Sequence, residues 1–167
     1  ACVTKVKGAA EVSLKPEEPK VFATSVVAGF PHDKSIQKVV VIGNGIAGVT
    51  AADHVRRRHP SCEIHLIGRE RHHLYNRMGI TRLIYGRSAM QGLYLLPEKW
   101  YDDYAITTWL NTNVTDVDTA NKTVALGTGE SLAYDRLILT TGSNSFVPPI
   151  DGWGKEGCYV LREAEDA

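Results

Sequence analysis

Cysteine is scarce in this chain: three residues in 167, at positions 2, 62 and 158. Their odd number and wide spacing supply neither a disulfide framework nor a metal-ligand set, so a reducing, cytoplasmic setting is expected. Net charge is also missing. Lys and Arg total 19, Asp and Glu total 19, which gives no basis for a nucleic-acid or acidic-membrane partner. No apolar run approaches the roughly 18 residues of a membrane-spanning helix. The stretch 1–20 carries several lysines and too short an apolar segment for a signal peptide. No Ser, His and acid spacing suggests a hydrolase, and no metal signature, internal repeat or low-complexity tract is present. What remains is 43% hydrophobic and 23% charged, an ordinary globular composition in a length that sustains one core.

The most telling segment runs from Lys38 to Glu70. The apolar run Val39-Val40-Val41-Ile42 leads into Gly43-Asn44-Gly45-Ile46-Ala47-Gly48, then a helix-patterned stretch, then a second apolar run, Ile64–Ile67. This order is that of a βαβ unit that holds a dinucleotide. Gly43 allows the tight strand-to-helix turn, Gly45 lets a pyrophosphate approach the backbone, and Gly48 lets the helix pack closely. The phosphates would rest on the free N–H groups at the start of the helix. Glu70 follows at about the spacing, some 20 residues on, of the acid that accepts ribose hydroxyls. A second match to the glycine spacing, Gly152-Trp153-Gly154-Lys155-Glu156-Gly157, follows Pro148-Pro149 rather than a strand and leads into no helix. It reads as a loop.

Residues 1–37 read as an extension or the tail of a preceding module, with one short strand within Phe22–Val27 and a turn at Gly29-Phe30-Pro31. The domain then covers 38–167. Ile46, Val49, Ala52 and Val55 mark one helical face, and Arg56-Arg57-Arg58 read as a solvated last turn whose cations suit the helix dipole. Pro97 opens a helix carrying Trp100, Tyr101 and Tyr104 as core aromatics. From Ala105 the pattern changes to short strands: Ile106–Leu110, Asn113–Val117, Lys122–Leu126 and Leu132–Tyr134. Gly127 and Gly129 end the meander, and a last apolar strand, Arg136–Leu139, runs into Thr140-Thr141-Gly142. The expected fold is α/β: a Rossmann-like parallel sheet with helices and an inserted small antiparallel β-meander.

These residues resemble the flavin-binding half of the pyridine nucleotide-disulfide oxidoreductase family, in its nitrite reductase large-subunit and NADH:rubredoxin and ferredoxin reductase branch. The likeness rests on the glycine turn, on Leu66-Ile67-Gly68, Tyr75-Asn76-Arg77 and Pro97-Glu98-Lys99-Trp100-Tyr101. It continues through Tyr134–Ser143, Val147-Pro148-Pro149-Ile150 and Leu161-Arg162. It implies that Gly43, Asn44, Gly45, Ile46, Ala47 and Gly48 hold the FAD pyrophosphate and Glu70 the adenosine ribose. Arg77 would reach toward the phosphates and flavin, and Val114 would sit where backbone groups read adenine. Thr140, Thr141 and Gly142 would lie beside the cofactor, and Arg82 near the isoalloxazine in place of a lysine.

The chain departs from the family pattern at Arg69, beside the ribose acceptor, where relatives often carry an acid. Met78 replaces a proline, Thr140 an alanine and Asn144 an arginine. The segment His72–Gly92 holds no cysteine, so the redox-active pair of the disulfide reductases is not expected; His72 and His73 read there as exposed loop histidines. The resemblance implies an NAD(P)H-dependent flavoprotein that passes electrons to an acceptor. FAD supplies the chemistry, and no acid or base of the chain is essential. The nicotinamide-binding half would come from a further domain or a partner chain, and an electron-acceptor protein is a second partner. The alternatives are a redox-silent FAD-binding structural subunit and a plain NAD-binding domain.

Overall fold

The run Val39-Val40-Val41-Ile42 is apolar throughout because both faces of its strand are covered. In the computed structural model, which describes residues 33–167, Val39 and Val41 point into one core and Val40 into another. Such a two-sided strand belongs at the centre of a parallel sheet. The expected strand at Phe22–Val27, the turn at Gly29-Phe30-Pro31 and Cys2 lie outside the described residues.

Strand β1 (Lys38–Ile42) is followed by helix α1 (Ile46–Arg58) and strand β2 (Glu63–Ile67). Two short helices, α2 (Thr81–Ile84) and α3 (Lys99–Asp103), lead to β3 (Ile106–Trp109). The strands β4 (Val114–Asp118), β5 (Thr123–Leu126) and β6 (Ser131–Ala133) come next, then β7 (Arg136–Leu139). The parallel sheet has the order β3-β2-β1-β7, and β4-β5-β6 form a separate antiparallel sheet. The fold is thus the expected parallel sheet with helices and a small meander. One element moves: the strand at 106–109 pairs in parallel with β2, with Ile64 opposite Ile106, instead of opening the meander. Helix α3 carries the chain back across the sheet, so the strand after it re-enters in the direction of β2.

Val49 and Ala52 of α1, Tyr101 of α3, and Ile64, Leu66 and Ile106 fill the core on one face. Trp100 and Tyr104 pack against it, so the aromatics of α3 serve as core. Val124 and Leu126 of β5 cover the opposite face around Val40 and Ile67. At the start of β7 the Asp135 carboxylate accepts the backbone N–H groups of Gln37 and Lys38, at 2.7 and 2.8 Å. Those bonds hold its pKa below the usual carboxylate value. No helix among the described residues is long and apolar enough to cross a membrane.

Arg56 is not a solvated last-turn cation. Its guanidinium donates to the carbonyls of Tyr104 (2.7 Å), Pro60 (2.8 Å), Cys62 (2.9 Å) and Ala105 (2.9 Å). The clamp therefore ties the end of α1 to the β2 approach and the end of α3. Arg57, by contrast, pairs along the helix with Asp53. Arg56→Met is expected to cost about 2–4 kcal/mol by chemical denaturation, because several charge-assisted bonds are lost at once.

His65 lies on the meander side of β2 and accepts the Trp109 indole N–H at Nδ1, 3.1 Å away. That bond requires a neutral ring with Nδ1 unprotonated. Burial lowers the pKa of His65, and that of His73 as well. Both groups therefore take up protons more readily in the unfolded chain, whose histidines titrate near about 6.5. Their contribution to stability is complete above that pH and is lost as pH falls below it. A melting temperature that declines between about pH 7 and 5, with a shallower slope in His65→Asn, is the expected result.

Candidate functional site

The strands β1, β2 and β7 end along one edge of the sheet, and a cleft of about 600 Å³ opens there. The order β3-β2-β1-β7 makes this the place where successive strands leave β1 in opposite directions, which is where open α/β sheets bind ligands. The floor is tied together by backbone hydrogen bonds: Gly43 N–H to the Ile67 carbonyl (2.8 Å) and Thr140 N–H to the Ile42 carbonyl (2.7 Å).

Gly43 has φ +119°, and a Cβ there would overlap the Thr140 carbonyl oxygen. At Gly48 a Cβ would strike the Gly43 carbonyl oxygen. Both glycines are required by the turn itself. Gly45 differs: it caps α1 with extended backbone, and nothing lies within 4 Å of where its Cβ would be. The 13-residue helix has no side-chain cap and no acid in its first turn. Its leading N–H groups, which lack partners within the helix, therefore face the cleft with the positive end of the helix dipole. The Asn44 Nδ2 group donates to the His72 carbonyl (3.0 Å), leaving Oδ1 buried without a partner among the described residues.

Glu70 projects from the end of β2 and is engaged on both oxygens. Arg77 grips it with its guanidinium, and the Tyr75 hydroxyl donates to it. Burial disfavours the Arg77 charge, but Glu70, Tyr75 and Glu163 outweigh that effect and raise its pKa. Glu163 pairs with Arg69, and Glu165 pairs with Arg71 at 3.1 Å. Glu70, Glu163 and Glu165 offer oxygens within 4.8 Å of one another, and each is matched by an arginine.

Of the residues anticipated from sequence, the structure brings Gly43, Asn44, Gly45, Ile46, Ala47, Arg69, Glu70, Arg77, Val114, Thr140, Thr141 and Gly142 to the cleft wall. Gly48 is buried just behind the turn. Arg82 does not line the cleft and stands exposed on α2. Arg77 lines the cleft, though its guanidinium is spent on Glu70 and on the Arg162 carbonyl (3.4 Å). The Thr140 hydroxyl lies 3.0 and 3.1 Å from the Ile42 and Gly43 carbonyls, bracing the turn from the β7 side.

His72 and His73 are not exposed. His72 lines the cleft with Nδ1 3.2 Å from the Tyr94 hydroxyl, and His73 stacks on Tyr101 at 4.1 Å. Sequence reasoning missed Arg162 and Glu163 as cleft residues. They lie far along the chain, and the likeness at Leu161-Arg162 assigns them no place at the site.

Residues 37–167 match the family described as pyridine nucleotide-disulphide oxidoreductase. The chain is 35% identical over 132 residues to the assimilatory nitrate reductase electron transfer subunit of Bacillus subtilis (strain 168), covering 78% of this chain and 17% of that one. It is 37% identical over 140 residues to the nitrite reductase [NAD(P)H] of Emericella nidulans, covering 78% and 12%. Among solved structures, the ferredoxin reductase for the CYP199A2 system from Rhodopseudomonas palustris superposes with a TM-score of 0.69 at 26% identity. That superposition covers 78% of this chain and 32% of that one. The chain spans about a third or less of the length of the curated relatives it matches.

Proposed function

The chain belongs to the pyridine nucleotide-disulphide oxidoreductase family, and on that premise we propose that residues 38–167 form the FAD-binding portion of an NAD(P)H-dependent oxidoreductase. The observation that carries this reading is one cleft holding an open glycine corner, an uncapped helix start and a carboxylate at the end of the neighbouring strand. The fit to a flavin dinucleotide is chemical: N–H donors for a pyrophosphate, and a carboxylate acceptor for ribose hydroxyls. The bare space over Gly45 lets phosphate oxygens reach the backbone.

In this reading the turn from Gly43 to Gly48 binds the pyrophosphate and Glu70 accepts the adenosine ribose. Backbone near Val114 flanks the adenine, and Thr141 and Gly142 border the cofactor. Arg69 serves by holding Glu163 rather than by touching ribose. Bound FAD would supply the hydride acceptor and electron store. The chain binds, orients and shields it, and no side chain acts as an essential acid or base. In this reading no redox-active disulfide takes part; among the described residues Cys62, in the core, and the exposed Cys158 are free, and neither lines the cleft.

The nicotinamide-binding half comes from a further domain or a partner chain. An acceptor protein draws the electrons, as the covalent putidaredoxin reductase–putidaredoxin complex illustrates for one structural relative. The proposed compartment is the cytoplasm, on the strength of cysteine usage. The test is spectroscopic. Purified protein is expected to be yellow with one FAD per chain, and NADH should bleach that colour rapidly only once the nicotinamide-binding half is present. A colourless chain that ignores added FAD would overturn the reading. Flavin that stays oxidised in the assembled complex would instead favour a structural subunit.

A further inference from the structure

Tyr75 is 5% exposed, with its ring set among Ile80, Leu93 and Ala164 in a small apolar cluster. Its hydroxyl is fully occupied all the same. It donates to the Glu70 carboxylate, accepts the Ala164 N–H at 3.0 Å, and lies 3.1 Å from Nη1 of Arg77. A phenol has one proton and two lone pairs. Because the amide and the guanidinium are donors only, the proton is committed to Glu70. Burial and that bond together push the phenol pKa upward, so the donor persists at any ordinary pH.

Ala164 begins a 3₁₀ turn, Ala164–Asp166, locked by a reciprocal capping box between Glu163 and Asp166. The turn is held against the end of β2 by Arg69–Glu163 and Arg71–Glu165, with Arg77 also reaching the Arg162 carbonyl. Most of these ties are exposed ion pairs, which contribute little each. The Ala164–Tyr75 bond is buried. One phenol therefore joins the carboxylate at the cleft to a segment 89 residues further along the chain.

Resting on the FAD reading above, we propose that Tyr75 is a positioning residue that aims Glu70 at the adenosine ribose and, through the Ala164 amide, couples ribose binding to the seating of residues 162–166 on the cleft. A carboxylate has about four lone-pair sites. Tyr75 and Arg77 take part of that set and leave the remainder in a fixed direction for two ribose hydroxyls. A ribose bound there immobilises Glu70, which in turn steadies the phenol and the amide it accepts. Linkage makes the effect reciprocal: a seated segment favours FAD as much as FAD favours the seat.

The test uses the whole chain with Tyr75→Phe, which keeps the ring and its packing, alone and combined with Glu70→Ala. Two readouts are needed: FAD affinity by flavin fluorescence titration, and hydrogen exchange at the Ala164 amide with and without FAD. Tyr75→Phe is expected to weaken FAD binding about tenfold, the size of a lost hydrogen bond to a charged group. In the Glu70→Ala background it should add almost nothing, since the two residues act as one unit. FAD should slow Ala164 exchange about tenfold in the unsubstituted chain and leave it unchanged in Tyr75→Phe. Equal losses in both backgrounds, as a merely structural tyrosine would produce, would overturn the proposal, and so would unchanged affinity. If the unsubstituted chain fails to bind FAD, the functional reading itself falls and takes this inference with it. The titration of that chain alone identifies that outcome.

Discussion

Gly45→Val is expected to abolish detectable FAD loading, with affinity falling by about a hundredfold or more, while the protein folds normally. A Cβ at position 45 meets no protein atom within 4 Å, and the backbone there, at φ −85° and ψ −173°, suits any residue. The valine therefore fits the fold and projects into the space the pyrophosphate needs. It also takes phosphate oxygens out of reach of the helix N–H groups. The stability change should stay near about 1 kcal/mol, the scale of exchanging one helix-capping residue for another. Absorbance of the purified variant reports the flavin, and far-UV circular dichroism with a urea titration reports the fold. A variant that keeps a full complement of flavin would show that the phosphates do not lie on this turn.

Gly48→Ala should do the reverse and break the fold before it affects binding. Its added methyl would overlap the Gly43 carbonyl oxygen and lie 2.8 Å from the Thr140 hydroxyl oxygen. The first neighbour is backbone, held in place by the Gly43–Ile67 hydrogen bond of 2.8 Å. Relief requires moving the start of α1 away from β1 and β7, which disturbs Val49 and Ala52 in the core. The expected cost is about 3 kcal/mol or more, read as a lower urea midpoint with an unchanged slope. Stability equal to that of the parent would mean that the helix start has room to move. Two glycines of one motif thus separate cleanly, position 45 reporting the ligand and position 48 the fold.

The same contrast shows what was legible in the sequence. The glycine turn could be read because its constraints are local: a positive φ at Gly43 and the excluded methyl at Gly48 concern neighbouring backbone. Arg56 was opaque. Four carbonyls from two separate stretches, 60–62 and 104–105, converge on it, and no local pattern distinguishes it from Arg57. The two histidines misled for a similar reason, since a loop composition of polar residues gives no hint that Tyr101 stacks on His73. Arg82 is expected near the cofactor by resemblance alone, and the structure shows it exposed on α2, outside the cleft lining.

By itself the sequence determined the βαβ unit, the glycine corner and the sheet-plus-meander fold, because alternation, helical periodicity and glycine geometry act over a few residues. Tertiary structure alone decided that 106–109 joins the parallel sheet, that Arg77 is committed to Glu70, and that Arg162 and Glu163 reach the cleft wall beside an Ala164 amide bonded to Tyr75. Those outcomes depend on which distant segments meet in space, and a buried carboxylate or phenol takes whatever partner the fold brings within reach.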